Sequence, residues 1–320
     1  MNPSGVEQHA SVASAVLEGL AENPKRLPAW LFYDRRGSDL FEQITHLPEY
    51  YPTRTELHIL QSCGEKIARR LNHPRTVLEL GAGSARKSRI LLRHLMANSP
   101  DLTFIPSDVS PRALDLAQAS LKEELPSLRV SSLLGTHECA LDQLQAWEGP
   151  RLVLFLGSSL GNYDPQNAAG LLRTIRDSLD PSDHLLLGLD LRKLESILLP
   201  AYDDAAGVTA AFNRNVLVRL NGELGGDADP EAFDHVALWN MERSRIEMHL
   251  ESRVDQILSF PSLDRRFPLG KGERIHTENS YKYDQTAMDG LFSASALTPV
   301  DQWMDPNEWF SLVLLARGSR

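Results

Sequence analysis

Short apolar runs alternate with longer helix-like segments between residues 76 and 189, and this alternation constrains the fold more than any other feature of the sequence. The runs have the length of strands, and the apolar positions of the longer segments recur at helical spacing. The predicted strands are 76–80, 103–106, 128–134, 152–156 and 184–189, and the predicted helices are 87–96, 111–124 and 167–179. This order predicts an α/β fold with a mostly parallel, doubly wound sheet.

The flanking segments extend this core, and one long segment interrupts it. The further predicted elements are a helix over 55–71, a helix over 286–294, and a terminal hairpin of strands 298–304 and 310–316. The β–α alternation is lost between 196 and about 277, which indicates an insertion. We therefore expect two domains, a doubly wound domain of 55–193 plus 282–320 and a smaller α+β substrate domain of 1–54 plus 194–281.

Charge and composition exclude some classes of partner. A formal net charge of -10 supplies no basic field for a phosphate backbone, so we expect no nucleic-acid partner. No segment approaches the roughly 20 apolar residues of a membrane helix, so we expect no membrane partner. Cys63 and Cys139 are far apart and match no metal-ligand spacing, which favours a reducing compartment. We expect two buried thiols, no bound metal, a cytoplasmic location and a monomer.

The segment Leu78-Glu-Leu-Gly-Ala-Gly83 ends the first predicted strand and precedes a helix. Gly81 and Gly83 allow a tight turn and a close approach of a ligand to the backbone, so we expect an adenosyl cofactor there. Dehydrogenases have a third glycine where this chain has Arg86, and the loop instead resembles that of class I S-adenosylmethionine-dependent methyltransferases. Their Rossmann-like fold also ends in a hairpin.

Three positions after the next two strands are candidates for cofactor binding. Asp108 follows a strand and can accept hydrogen bonds from both ribose hydroxyls, although it could instead cap the helix that begins at Pro111. Thr136 and His137 follow the third strand, where related enzymes often place an aspartate that binds the adenine amine. These two residues are therefore candidates for the adenine contact.

An aromatic-rich segment lies between a stretch that is predicted to be helical up to Gly19 and the helix over 55–71, and we expect it to form a pocket wall or lid. It contains the motifs Phe32-Tyr-Asp, Gly37-Ser-Asp-Leu-Phe41 and Leu47-Pro-Glu-Tyr-Tyr-Pro-Thr-Arg-Thr-Glu56. Later motifs are Phe155-Leu-Gly-Ser-Ser-Leu-Gly-Asn162, Arg245-Ile-Glu-Met248 and the long run that begins Ala201-Tyr-Asp-Asp. Together they resemble the histidine Nα-methyltransferases of ergothioneine biosynthesis over nearly the whole chain.

This resemblance implies that S-adenosylmethionine is the methyl donor and that the α-amino group of L-histidine is methylated three times, giving hercynine. It implies that Lys87 contacts the methionine carboxylate of the donor. For the acceptor it implies Asn162 and Tyr202 at the carboxylate, and Glu278 and Ser280 at the imidazole. Further implied positions are Met248 and Gly157 in the pocket, and Tyr33 and Tyr50 near the amine as the catalytic residues.

Two other functions are compatible with these residues. One is an Nα-methyltransferase of another amino acid, such as a tryptophan derivative, and the pair Glu278 and Ser280 argues against it. The other is a non-catalytic, methyltransferase-like module that binds a ligand, and the intact glycine loop with Asp108 argues against that.

Overall fold

The computed structural model of the protein describes residues 5–318, with side chains described from Val12 onward. Its helices are α1 (Gly5–Gly19), α2 (Arg35–Ile44), α3 (Tyr51–Arg70), α4 (Ser88–Met96), α5 (Pro111–Glu124), α6 (His137–Leu144), α7 (Pro165–Ser178), α8 (Glu195–Leu198), α9 (Val208–Leu224) and α10 (Gln285–Ser295). Its strands are β1 (Lys25–Arg26), β2 (Thr76–Leu80), β3 (Thr103–Asp108), β4 (Arg129–Val130), β5 (Leu133–Leu134), β6 (Arg151–Phe155), β7 (His184–Asp190), β8 (Phe233–Asn240), β9 (Arg245–Ser252), β10 (Gln256–Phe260), β11 (Arg265–Leu269), β12 (Arg274–Tyr281), β13 (Leu297–Met304) and β14 (Phe310–Arg317). The helix expected up to Gly19 is present from Gly5, and residues 1–4 lie outside the described part.

The chain divides into two compact units. The smaller unit comprises the described residues up to Tyr50 together with Lys193–Ser280, and the larger comprises Tyr51–Arg192 together with the described residues from Tyr281 onward. The borders expected from the sequence were 54/55, 193/194 and 281/282. No helix among residues 5–318 is long and apolar enough to cross a membrane.

The larger unit contains the doubly wound sheet, with strand order β13-β14-β7-β6-β2-β3-β4 and β5 beside β3. Every residue of β2 and β6 is buried, as expected for parallel strands covered on both faces. Two apolar clusters cover the two faces, one containing Leu78 and Phe155 and the other containing Val77 and Phe104. The predicted α/β fold class is confirmed.

The strand order reverses beside β2, because β3 lies on one side of it and β6 on the other. In open α/β sheets, ligands bind outside the carboxyl ends of the strands at such a switch point. The loops that begin at Gly81 and Leu156 follow these strand ends. The topology therefore places both loops where a ligand is expected.

The sheet ends in the predicted hairpin, because β13 and β14 pair antiparallel and β14 pairs antiparallel with β7. Two details of the sequence-based prediction are wrong. The single strand expected over 128–134 is two short strands, both parallel to β3 and interrupted at Ser131 and Ser132. Cys139 is exposed and Cys63 is only partly buried, so neither is a core thiol.

The smaller unit is an α+β arrangement. Its four-stranded sheet has the order β1-β12-β9-β8, and β10 and β11 form a separate hairpin. Along β9 the side chains alternate between full and partial burial after Ile246, so one face of the sheet is covered. α9 packs against β8 and β9 on this unit, and α2 packs against α9.

Arg151 holds the start of β6 through a buried ionic network. Its guanidinium lies 2.6 Å from Asp183 Oδ2, with the two side chains 2% and 0% exposed. Asp183 Oδ1 also accepts the backbone N–H of Arg151 at 2.7 Å. Arg151 also lies 2.8 Å from Asp180, but that carboxylate is 67% exposed, so removal of Asp183 takes away the buried partner of the Arg151 charge.

We therefore expect Asp183→Ala to lower the free energy of unfolding by about 3–5 kcal/mol. Chemical denaturation, followed by circular dichroism, measures this change. The matched control is Asp142→Ala at an exposed site, which should change stability by less than about 0.5 kcal/mol. Equal effects of the two substitutions would contradict the assigned role of Asp183.

Candidate active site

The loop after β2 is shaped by two glycines with left-handed backbone conformation. Gly81 has φ +67° and Gly83 has φ +54°, and a Cβ built on Gly83 meets nothing within 4 Å. The positive φ angle therefore favours glycine at position 83, and the space beside this residue is open. Its N–H donates to Asp108 Oδ2 at 2.9 Å, so the end of β3 closes the loop.

Asp108 is oriented by backbone donors on both of its oxygens. Besides Gly83, Ser110 donates its backbone N–H to Asp108 Oδ1 at 2.9 Å. Burial raises the pKa of Asp108, and these backbone hydrogen bonds oppose the increase. The cap of α5 is Ser110, whose Oγ accepts from Ala113, so the alternative role of Asp108 as that cap does not apply. Each carboxylate oxygen retains a lone pair that can accept a hydrogen bond from a hydroxyl group of a diol.

His137 lies beside the same loop. A Cβ built on Gly81 would lie 3.7 Å from His137 Nε2. The His137 ring packs edge-on against Phe155 at 5.1 Å between centroids, and the Tyr163 hydroxyl lies 3.3 Å from Nδ1. Burial lowers the pKa of His137, so its ring is neutral near pH 7. Thr136 caps α6 by accepting from the Cys139 N–H, and its hydroxyl hydrogen can be donated elsewhere.

Lys87 is held by a buried carboxylate to which the sequence analysis assigned no role. Its Nζ lies 2.7 Å from Glu56 Oε2, and the Glu56 side chain is 0% exposed. Glu56 also accepts the N–H of Gly157 at 2.9 Å and 3.0 Å. The sequence offers one indication of this role, because Glu56 is the last residue of the motif that begins at Leu47. The structure places it on the buried face of α3. One carboxylate thus joins α3, the residue before α4, and the loop after β6.

A second buried group fixes the loop after β6. Asp190 Oδ2 accepts from the Tyr51 hydroxyl at 2.7 Å and lies 2.7 Å from Lys282 Nζ. The backbone N–H of Asp190 donates to Ser158 Oγ at 2.9 Å. Sequence reasoning missed this set because its members are far apart in the chain. Asn162 ends the short 3-10 helix Ser159–Asn162 that follows this loop, and it is partly exposed.

In the smaller unit, several predicted acceptor residues form one continuous series of aromatic rings. Tyr33 contacts Phe41 with centroids 5.7 Å apart, Phe41 contacts Tyr50 at 6.2 Å, and Tyr50 contacts Tyr202 at 6.3 Å. Phe212 of α9 packs against Tyr33 and Phe41. Tyr33, Phe41 and Tyr50 are all partly exposed, as expected for rings that line a ligand surface.

The series continues to the strand that carries the other predicted acceptor residues. The Tyr202 hydroxyl lies 2.7 Å from Ser280 Oγ, and Ser280 is buried on β12. Glu278 lies two residues earlier and is partly buried. Met248 is buried on the neighbouring β9, and its carbonyl accepts from Thr277 Oγ1 at 3.0 Å. The structure thus joins Tyr33, Tyr50, Tyr202 and Ser280 in one series of contacts within this unit.

No cluster of three or more histidine, cysteine, aspartate or glutamate side chains with the geometry of a metal site occurs in residues 5–318. The polar groups of the two sites are instead organised by hydrogen bonds to one another and to the backbone.

The comparison with protein families decides the classification. A model of histidine-specific, S-adenosylmethionine-dependent methyltransferases matches residues 12–317. The chain belongs to this family. The resemblance found in the sequence motifs is thereby confirmed, and this methyltransferase uses S-adenosylmethionine as its methyl donor.

Individual relatives of the methyltransferase have related names. It is 43% identical to a histidine N-alpha-methyltransferase of Mycolicibacterium smegmatis, over 94% of each chain. It is 31% identical to ergothioneine biosynthesis protein 1 of Neurospora crassa, over 92% of this chain and 34% of that protein. Identity falls to 29% with a 4-dimethylallyltryptophan N-methyltransferase of Epichloe festucae var. lolii, over 92% of each chain. The relative that is named for a tryptophan derivative is therefore more distant than the one named for histidine.

Glu79 of the glycine loop motif generates a prediction about pH. It is 2% exposed, and its Oε2 has no hydrogen-bond partner among the described residues. Burial raises its pKa from 4.5 to about 8, against opposing effects of the Ser88 hydroxyl and the Lys87 ammonium. The folded protein therefore binds more protons than the unfolded chain between these two pH values.

The stabilisation from Glu79 is thus complete below about pH 4.5 and is lost as the pH rises towards 8. We expect Glu79→Gln, which cannot ionise, to gain stability relative to the native chain over this interval, by up to about 1.4 kcal/mol per pH unit. Urea denaturation of both proteins between pH 5 and pH 8 measures the difference. A difference that does not change with pH would contradict the prediction.

Proposed function

We propose that the protein transfers methyl groups from S-adenosylmethionine to the α-amino group of L-histidine, three times in succession, and so produces hercynine, the first intermediate of ergothioneine biosynthesis. Membership of the histidine-specific family is the observation that carries this proposal. The arrangement of charged and polar groups in each unit supports it, and the proposal includes a role for each residue of these groups.

The loop after β2 fits the methyl donor. Gly83 leaves open space beside a backbone turn, Asp108 retains acceptor capacity for a ribose diol, and Lys87 offers a fixed positive charge for a carboxylate. Thr136 and His137 would hold the adenine ring, with neutral His137 able to donate one hydrogen bond and accept another. When bound, S-adenosylmethionine supplies the electrophilic methyl group of its sulfonium.

The polar groups near the acceptor suit an amino acid. Tyr202 and Asn162 would donate hydrogen bonds to the α-carboxylate, and Gly157 would leave room for it. Tyr33 and Tyr50 would hold the amine with their phenolic oxygens, so that its lone pair is directed towards the methyl group. Because positioning of a neutral amine supplies most of the rate in such displacements, no covalent intermediate is required. Solvent can take the protons that the amine releases between transfers.

The imidazole would be recognised by Glu278 and Ser280, with Met248 against the ring. Glu278 can accept one imidazole N–H while Ser280 bonds to the other nitrogen. An indole has a single ring nitrogen and an aliphatic side chain has none, so neither can bond to both residues, and both would be disfavoured relative to imidazole. This pair would distinguish histidine from a tryptophan derivative, which is the substrate named for the more distant relatives.

Incubation of the protein with L-histidine and S-adenosylmethionine should yield mono-, di- and trimethylated histidine, detected by mass spectrometry. L-tryptophan and its 4-substituted derivatives serve as alternative acceptors. Exclusive methylation of a tryptophan derivative would replace histidine as the substrate. If neither amino acid is methylated or bound, the proposed function is wrong, whereas binding without methylation would identify a non-catalytic ligand-binding module.

Substitution of Glu278 tests the specificity. Glu278→Gln removes a charge-assisted hydrogen bond, so we expect histidine affinity to fall by roughly ten- to one-hundredfold while discrimination against tryptophan decreases. Calorimetry with S-adenosylhomocysteine present measures both affinities. Glu251→Gln is the matched control, because Glu251 lies on the neighbouring β9 and pairs with Arg274. Unchanged histidine affinity in Glu278→Gln would refute the assigned role.

A further inference from the structure

A chain of hydrogen bonds in the smaller unit connects Tyr202 to α9 through His235 of β8. The Asn213 side-chain nitrogen lies 2.9 Å from His235 Nδ1, and His235 Nε2 lies 2.8 Å from the main-chain oxygen of Tyr202. Asn213 is 0% exposed and His235 is partly buried. The Tyr202 hydroxyl then reaches Ser280, so the chain of bonds extends from α9 to β12.

The orientation of the Asn213 amide follows from its other partners. Its Nδ2 lies 3.0 Å from the carbonyl oxygen of His249, and a carbonyl can only accept. The nitrogen must therefore face that carbonyl, and it faces His235 Nδ1 at the same time. On the opposite side of the amide, Thr277 Oγ1 donates to Asn213 Oδ1 at 2.8 Å. Rotating the amide would place its oxygen against the His249 carbonyl.

This orientation dictates the protonation of His235. Because Asn213 donates to Nδ1, that nitrogen must be the acceptor, and the ring proton lies on Nε2. The proton on Nε2 is then donated to the Tyr202 carbonyl. Burial lowers the pKa of His235, which also favours a neutral ring. The ring is thus held as one tautomer with one direction of donation.

Three hydrogen bonds are among the contacts that hold Tyr202. Its backbone N–H donates to Leu199 within the short 3-10 helix Leu199–Ala201, its carbonyl accepts from His235, and its hydroxyl bonds to Ser280. Of these contacts, only that from His235 is a side-chain hydrogen bond to the Tyr202 backbone. Removing it takes away a direct restraint on the Tyr202 backbone while leaving the hydrogen bonds within the helices and strands in place.

We propose that His235, oriented by Asn213, is a positioning residue that fixes Tyr202 for binding of the acceptor carboxylate. This inference rests on the role of Tyr202 in the proposed function. It adds a determinant of histidine binding that lies outside the set of substrate-contacting residues.

Two substitutions of His235 separate its hydrogen bonds. In His235→Gln the side-chain nitrogen can reach the position of Nε2 and donate to the Tyr202 carbonyl. In His235→Asn the shorter amide can accept from Asn213 at the position of Nδ1 but cannot reach Tyr202. Both side chains are uncharged amides, so the pair differs mainly in whether the bond to Tyr202 is made.

We expect His235→Asn to raise the KM for histidine roughly five- to tenfold, which corresponds to the loss of one buried hydrogen bond. The KM for S-adenosylmethionine should stay unchanged. His235→Gln should have a histidine KM close to that of the native protein. Steady-state kinetics at saturating concentrations of the second substrate measure these values. Equal histidine KM values for native protein, Gln variant and Asn variant would overturn the inference, as would equal losses for both substrates.

A spectroscopic measurement decides the matter if the Asn variant does not fold. The native protein is labelled with 15N-histidine and bound to unlabelled L-histidine. In its NMR spectrum the His235 ring should show the neutral tautomer with the proton on Nε2. A proton on Nδ1, or a charged ring at pH 7, would overturn the inference. If the native protein does not bind or methylate histidine at all, the proposed function fails, whereas normal histidine turnover with an insensitive His235 fails this inference alone.

Discussion

The organisation of the larger unit depends on the buried carboxylate of Glu56. Its two oxygens bind the N–H of Gly157 and the ammonium of Lys87, and the side chain has no exposed surface. A carboxylate in this position is tolerated only because both partners are present, since an unpaired buried charge is strongly unfavourable. A Cβ built on Gly188 of β7 would collide with Glu56 Oε1, so a larger residue at this strand position would displace the carboxylate from its partners. The Glu56 carboxylate thereby connects α3 to β7, to the loop after β6 and to Lys87, the lysine assigned to the donor.

In the smaller unit, the buried polar groups that connect the elements are uncharged. Thr277, Asn213, His235, Tyr202 and Ser280 form one connected series of hydrogen bonds, in which the orientation of each amide or ring is dictated by a carbonyl that can only accept. Fully satisfied buried networks of this kind specify a single arrangement, because any rotation leaves a polar group unpaired. The aromatic rings from Tyr33 to Tyr202 supply apolar surface, and the network fixes one end of that surface.

The sequence predicted the sheet well because its strands are buried and their spacing is regular. β2 and the helix α5 were placed to the residue, and the terminal hairpin was expected from its two apolar runs. The weaker strand over 128–134 was predicted as one element, although Ser131 and Ser132 interrupt its pairing. Strand splitting of this kind depends on local pairing with β3, which hydrophobic pattern alone does not encode.

The site was less predictable, for a physical reason. The glycines and Asp108 were accessible because their roles follow from local backbone geometry, whereas Glu56 and His235 act through partners distant in the chain. β12 shows a further limit: Thr277 and Ser280 are connected only through Asn213, His235 and Tyr202, which lie on other elements of the smaller unit. Such a connection depends on the packing of α9 and β8 against β12, which the local pattern of the strand does not encode.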